Sequence, residues 1–222
     1  MRKFSGFLFL LATFILPAFS QSTGSNPLLS GLPPNSHWRN PPADWKVKED
    51  VLTIQSAAKT NWYAAPTGDT KVVATTPVLL FPAPKDFWFS ARVSVNFKSL
   101  FDAGALIVYV DEQNWVKFAF ESQDGKTGAI VSVVTRGLSD DNTGAPIEGN
   151  SIYLKVSKTG QAMFLFYSAD GKKWNVTRAF NLGQDKPMQF GFSSQSPTGD
   201  GATAAFSEIR YKAEALKPWS GE

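Results

Sequence analysis

Cysteine is absent from this chain and histidine occurs once. Without cysteine there are no disulfides, no lipoprotein cysteine and no Cys-based metal motif. The one histidine, His37, stands beside Trp38 in a proline-rich stretch. That is a surface setting, so neither a Ser-His-Asp triad nor a multi-His metal site can be assembled. Asp200 lies between Gly199 and Gly201, but no calcium-loop pattern surrounds it. The sequence therefore implies no metal and no cofactor. Lysine and arginine are nowhere clustered, and the formal charge is only +3, which argues against nucleic acid as a partner. No long stretch shows a helical period, and there is no internal repeat.

The longest apolar run, Phe7 to Leu16, is too short to span a bilayer comfortably. Arg2 and Lys3 precede it and Ala18-Phe19-Ser20 follows it, the layout of a secretory signal over residues 1–20. Its removal leaves 20 basic against 19 acidic side chains, close to neutrality. The expected location is secreted or periplasmic, with no membrane span. A secreted domain without disulfides must be stabilised by the size of its core. The material is present: 43% of residues are hydrophobic, and 18 are Phe and 7 Trp in 222 residues, a length suited to one large domain.

Residues 21–43 hold Pro33-Pro34 and Pro41-Pro42 among Ser, Gly and Asn, and read as a tether or irregular lead-in. From Asp44 the pattern is β, through a domain spanning 44–213, with a tail over 214–222. Trp88 to Phe97 alternates, Phe89, Ala91, Val93 and Val95 taking one side. Leu106 to Val110 is a continuous apolar run with β-branched residues, and Asp111-Glu112-Gln113-Asn114 supplies a turn. Trp115 to Glu121 alternates again: Val116, Phe118 and Phe120 form a core face, and Trp115, Lys117, Ala119 and Glu121 the other. Further strands are expected around Ala129–Arg136, Ile152–Ser157, Ala162–Ser168, Lys173–Phe180, Met188–Ser193 and Ala202–Tyr211, with Asp170-Gly171 as a hairpin turn. About a dozen strands in all favour an all-β, two-sheet antiparallel jelly-roll sandwich.

Five segments then carry a resemblance: LFDAGALIVYVDEQNWVKFAFE, SVVTRGLSD, YLKVSKTGQ, FYSADGKKW and GFSSQSPTGDG followed by AAFSEI. In order and spacing they resemble the bacterial and fungal family called domain of unknown function 1349, whose named yeast relatives are called regulators of enolase. The resemblance covers about Asp44 to Tyr211. It implies a concanavalin A-like lectin/glucanase jelly roll, in agreement with the strand count, and leaves activity poorly defined. The chain departs from the family pattern at Asn61, where an aspartate is expected, at Ala103 and at Asp141.

Jelly rolls of this type commonly carry a ligand groove on a concave sheet. Sugar recognition needs flat rings for pyranose faces and fixed polar groups for hydroxyls. Trp62, Tyr63, Trp115, Lys117, Glu121, Arg136 and Asp140 are of the right types. The row Ile130, Ser132, Val134 and Arg136 is expected beside Lys117 and Glu121, bringing Arg136 to Glu121. The plainer readings are a core ring for Trp115, a solvated charge pair for Lys117 with Glu121, a pinned loop for Arg136 with Asp140, and core positions for Trp45, Trp88 and Trp174. The principal expectation is a carbohydrate-binding domain whose partner is a polysaccharide or oligosaccharide, acting alongside secreted carbohydrate-active enzymes. One alternative is a glycoside hydrolase using Glu121 with Asp140 or Asp102. Against it stand the missing Glu-x-Asp-x-Glu strand motif and Lys117, which should keep a neighbouring carboxylate ionised. A structural or protein-interaction domain is the third possibility.

Overall fold

Alternation along the strands sorts the side chains into layers, and a computed structural model shows how. It describes residues 29–68 and 72–222. The signal-peptide expectation over 1–20, and the lead-in up to residue 28, lie outside the described residues. Among the described residues sixteen strands follow one another: β1 (His37–Arg39), β2 (Asp44–Lys48), β3 (Val51–Gln55), β4 (Trp62–Tyr63), β5 (Val73–Ala74), β6 (Val78–Pro82), β7 (Phe87–Val95), β8 (Ala103–Asp111), β9 (Asn114–Ser122), β10 (Gly128–Arg136), β11 (Leu138–Ile147), β12 (Ser151–Thr159), β13 (Ala162–Ser168), β14 (Asn175–Phe180), β15 (Gln189–Gln195) and β16 (Thr203–Lys212).

Two seven-stranded sheets form the expected sandwich. The first is ordered β1-β6-β15-β8-β9-β10-β11, the second β14-β13-β12-β7-β16-β3-β2, and every pairing is antiparallel. Between them lie Val116, Phe118 and Phe120 of β9, Leu106 and Val108 of β8, and Phe89, Ala91, Val93 and Val95 of β7, all buried. Phe89 and Phe190 approach to 4.7 Å between ring centroids. Each such side chain is worth ~1.5–3 kcal/mol of burial, which lets a domain without disulfides hold together.

Three elements differ from the sequence reading. Strand β1 lies in the supposedly irregular lead-in, paired to β6. Strand β11 runs through LSDDNTGAPI, whose Asp, Asn, Gly and Pro are poor strand formers. It is the edge of the first sheet, where Gly144 and Pro146 are tolerated and where the ladder shifts opposite Ala129 and Val131 of β10, the extra residue lying on β11 between Thr143 and Pro146. The tail folds back on the outer face of the second sheet, where Leu216 is buried against Phe164 and Phe166. Trp88 and Trp174 pack there too, and Trp45 is exposed beside Trp38, so none of these three tryptophans belongs to the inter-sheet core.

Candidate functional site

The side chains of Trp115, Lys117, Ala119 and Glu121 all leave β9 on the face turned away from the second sheet, as alternation requires. Register extends each into a row across the first sheet. Glu121 lies beside Ala103 of β8 and Ala129 of β10, and Ala103 in turn beside Gln195 of β15. Two residues along, Ala119 lies beside Ala105 and Val131. The third row holds Ile107, Lys117 and Val133, reaching Asp141 of β11. Short side chains at Ala103, Ala105 and Ala119 leave a hollow between these rows.

The hollow has a volume of about 250 Å³ and is lined by Asn61, Tyr63, Phe101, Lys117, Glu121, Asp141, Gln195 and Pro197. Across Ala119 the Lys117 ammonium comes within 3.6 Å of Glu121 Oε2. Gln195 joins the two: its Oε1 accepts from Lys117 Nζ at 3.1 Å, and its Nε2 donates to Glu121 Oε2 at 3.1 Å. Gln123 donates to Glu121 Oε1 at 3.3 Å. Both charges are almost fully buried, Lys117 at 4% and Glu121 at 6% exposure, so they form an enclosed pair rather than a solvated one.

Burial dominates the protonation of Glu121. It raises the carboxyl above its ordinary range, although Lys117 pulls the other way. Lys117 does favour the ionised form, as expected, but the cost of dehydration exceeds that attraction and the net direction is upward. Asp141 is also raised, by lost hydration opposed by Lys117 and Arg178. Tyr63 is raised by burial and by Asp141.

On the same face of the first sheet stands a buried aromatic cluster. Trp115 is fully buried beneath Trp62, with centroids 5.3 Å apart, and Trp62 also meets Tyr109 at 5.7 Å. The guanidinium of Arg39 lies over Trp62 and Tyr109, 5.5 and 5.2 Å from their centroids. The strap carrying Trp62 is pinned by Ser139, whose Oγ accepts from the Ala64 N–H at 3.0 Å and whose own N–H donates to the Ala64 carbonyl at 2.8 Å. Neither Trp115 nor Trp62 can therefore offer a ring face to a ligand, and neither lines the hollow.

Two other expected members lie elsewhere. Arg136 pairs with Asn114 at the opposite end of β9 from Glu121, seven residues and about 23 Å of strand away. Its guanidinium donates to the Asn181 carbonyl at 3.1 Å. The β10 residues flanking Lys117 and Glu121 are Val133 and Ala129, whereas Ile130 and Val134 face the core. Counting from the strand end without the pairing register placed the wrong face outward. Asp140 meets Arg178 of β14 at 2.6 Å, a clasp between the two sheet edges. Asp102 is fully buried and committed to its own loop, accepting from the Lys98 and Ser99 N–H groups at 2.9 Å and from Ser196 Oγ at 2.6 Å.

Of the expected ligand-binding residues, Tyr63, Lys117 and Glu121 line the hollow. Asn61, Phe101, Asp141 and Gln195 line it too and were not among them. Asp141 was hidden because β11 does not look like a strand; Gln195 could be found only through the β15–β8–β9 register. A larger hollow of about 450 Å³ is lined by Lys85, Lys158 and Lys186 with loop residues and no aromatic ring. A third, of about 230 Å³, holds Trp88 and Trp174, but Lys155 lies 3.9 Å from the Trp174 centroid and 5.1 Å from that of Trp88 and donates to the tail carbonyl of Gly221. Its rings are already engaged. Among the described residues no three His, Asp or Glu side chains gather to hold a metal ion, and no helix is long and apolar enough to cross a membrane.

These features define a concanavalin A-like jelly-roll domain with a small charged pocket on the outer face of one sheet. The chain belongs to the family described as protein of unknown function (DUF1349), whose match spans residues 38–214. It is similar to Regulation of enolase protein 1 of Saccharomyces cerevisiae, 29% identical over 124 residues, or 55% of this chain and 62% of the yeast protein. The match thus leaves more than a third of that relative's length uncovered. The crystal structure of a functionally unknown protein from Saccharomyces cerevisiae superposes with a TM-score of 0.74 at 24% identity, over 82% of this chain and 97% of that one. A GH43 protein from Bacillus licheniformis superposes with a TM-score of 0.60 at 18% identity, over 80% of this chain but 37% of the other. The fold is thus shared with part of a carbohydrate-active enzyme.

Proposed function

We propose that the domain binds a glycan in the pocket formed by Lys117, Glu121, Gln195, Asn61, Tyr63 and Asp141, and that it does so as a secreted or periplasmic protein. The observation that carries the reading is the Lys117–Gln195–Glu121 chain at the base of a roughly 250 Å³ hollow, with donors and acceptors fixed before any ligand arrives. Pre-set polar groups in a small hollow suit hydroxyls in known orientations. Asn61 and Tyr63 add polar atoms from the opposite wall. Two carboxyl groups against one ammonium favour a neutral sugar over a uronate. The likeness to a GH43 protein supports the fold; the glycan rests on the pocket.

Calorimetric titration of the full chain with a panel of mono- and oligosaccharides tests the reading. Saturable binding to at least one sugar, lost in Lys117→Met, is expected. A panel without any binding would overturn it.

A second reading is favoured by one observation. Glu121 is held toward its protonated form in the same pocket as Asp141, which is the state a general acid needs. If the bound sugar is also cleaved, Glu121 is the acid and Asp141 the second carboxylate. Release of reducing ends, abolished in Glu121→Gln, is the expected sign; binding without product leaves the first reading alone.

A further inference from the structure

Phe101 lines the pocket mouth in a conformation that a phenylalanine rarely adopts. Its φ is +68°, in the left-handed region where a bulky side chain is an outlier. Its neighbours over-determine this backbone. The Phe101 N–H donates to the Ser122 carbonyl at 2.8 Å, and the Asp102 N–H to the Ser99 carbonyl at 3.2 Å. Asp102 gathers the Lys98 and Ser99 N–H groups, and Thr198 Oγ1 donates to the Leu100 carbonyl at 2.6 Å. The Phe101 carbonyl accepts from Gln195 Nε2 at 3.1 Å, and that same Gln195 links Lys117 to Glu121. The strained residue and the polar base of the pocket are therefore one hydrogen-bonded piece.

All this order leaves Phe101 38% exposed, and it pairs with no other ring among the described residues. Glu49, Lys59, Glu208 and Trp219 share a positive φ, but of the described positive-φ residues Phe101 alone lines this pocket and is tied to Gln195. Strain held in place at a binding site is where conformation serves function. The trapped Trp62 and Trp115 leave the pocket otherwise without a free indole face.

We infer that Phe101 is the stacking platform of this pocket, and that the pocket takes a single terminal pyranose ring lying on it. The inference rests on the glycan reading above. A volume of about 250 Å³ is below the ~300–1,000 Å³ of ordinary drug-sized sites, so one ring is accommodated and a chain is not. The apolar face of that ring lies on Phe101 while its hydroxyls meet Gln195, Glu121 and Lys117.

The test uses the full chain and, as probes, methyl β-glucopyranoside, methyl β-xylopyranoside and the corresponding disaccharides, followed by calorimetry and by the side-chain resonances of ¹³C-labelled phenylalanine. Expected are binding of a single-ring glycoside, about tenfold weaker binding in Phe101→Ala, and near-wild-type affinity in Phe101→Trp. Phe101→Asn, which accepts positive φ, should fold with an undiminished urea midpoint and still bind about tenfold more weakly, separating the ring from the loop geometry. Binding that Lys117→Met abolishes but Phe101→Ala leaves within twofold would overturn the platform and leave the glycan site standing. Disaccharides binding more than tenfold tighter than the single ring would overturn the one-ring pocket. No sugar binding at all would remove the glycan reading itself.

Discussion

Replacing Lys117 by methionine isolates the energetics of the pocket. The substitution keeps most of the stem's volume and removes the ammonium 3.6 Å from Glu121. The carboxylate would keep Gln195 and Gln123 as donors but lose its ion pair, at 6% exposure. Breaking a buried pair from one side costs ~3–5 kcal/mol, because the remaining charge is left dehydrated. For a domain of this size that is a fall in Tm of about 6–20 °C, at ~2–4 °C per kcal/mol. The defect should depend on pH. The Glu121 carboxyl is already raised above its ordinary 4.5, and without Lys117 it rises further. The native state then holds a proton that the unfolded state releases above 4.5, so stability falls as pH rises through the gap between the two values. Lys117→Met should accordingly lie closest to wild type near pH 4.5 and lose stability progressively as the pH rises above it. Urea melts of both proteins across this range, read by tryptophan fluorescence, measure it directly. In Lys117→Met/Glu121→Gln the buried charge is gone, and most of the stability at pH 7.5 should return. A loss that is the same at pH 4.5 and 7.5, or a double variant no better than the single, would refute the account.

Two further outcomes follow from the same coordinates. Gly191 lies beside Ile107 on the pocket side of the first sheet, and an added Cβ would meet the Leu79 carbonyl oxygen at 1.9 Å. Strand backbone cannot swing aside, so Gly191→Ala should lower the urea-derived stability by about 3 kcal/mol. Lys155, held among Trp88, Trp174 and the tail, has its pKa lowered from 10.5 to about 8 by burial and by Arg210. Between those values the unfolded chain binds the extra proton, so this group adds stability as pH rises from 8 toward 10.5. The stability difference between wild type and Lys155→Met should shift toward the wild type over that interval, and a flat difference would count against it.

The sandwich was legible because its signals are local. Alternation in β7 and β9 assigned Phe89, Val93, Phe118 and Phe120 to the core and Lys117 and Glu121 to the opposite face, and the structure agrees. The pocket was legible only in part, because it is made by pairing. Gln195 reaches Glu121 across β8 and Asp141 reaches Lys117 across β10; neither relation leaves a mark in the sequence near either residue. Arg136 failed for the same reason: its parity along β10 is visible, but the register that sets it opposite Asn114 is not. The tryptophans failed differently. Sequence shows that Trp62 and Trp115 are flat and large, but not that residues 60–64 cross over the sheet and press one onto the other.

That strap also explains why the site is a pocket and not a groove. An open face of the first sheet would have exposed Trp115, Tyr109 and Val133 as one apolar surface, of the kind that rims extended binding clefts. The strap, tied through Ser139 to Ala64 and through Thr60 to Ser196, removes the Trp115 end from solvent and leaves only the stretch above the alanines uncovered. Asn61, Ala103 and Asp141 all border this stretch. Changes there alter the charge and depth of the hollow without touching a residue of the inter-sheet core. The pocket can therefore change while the sandwich beneath it stays as it is.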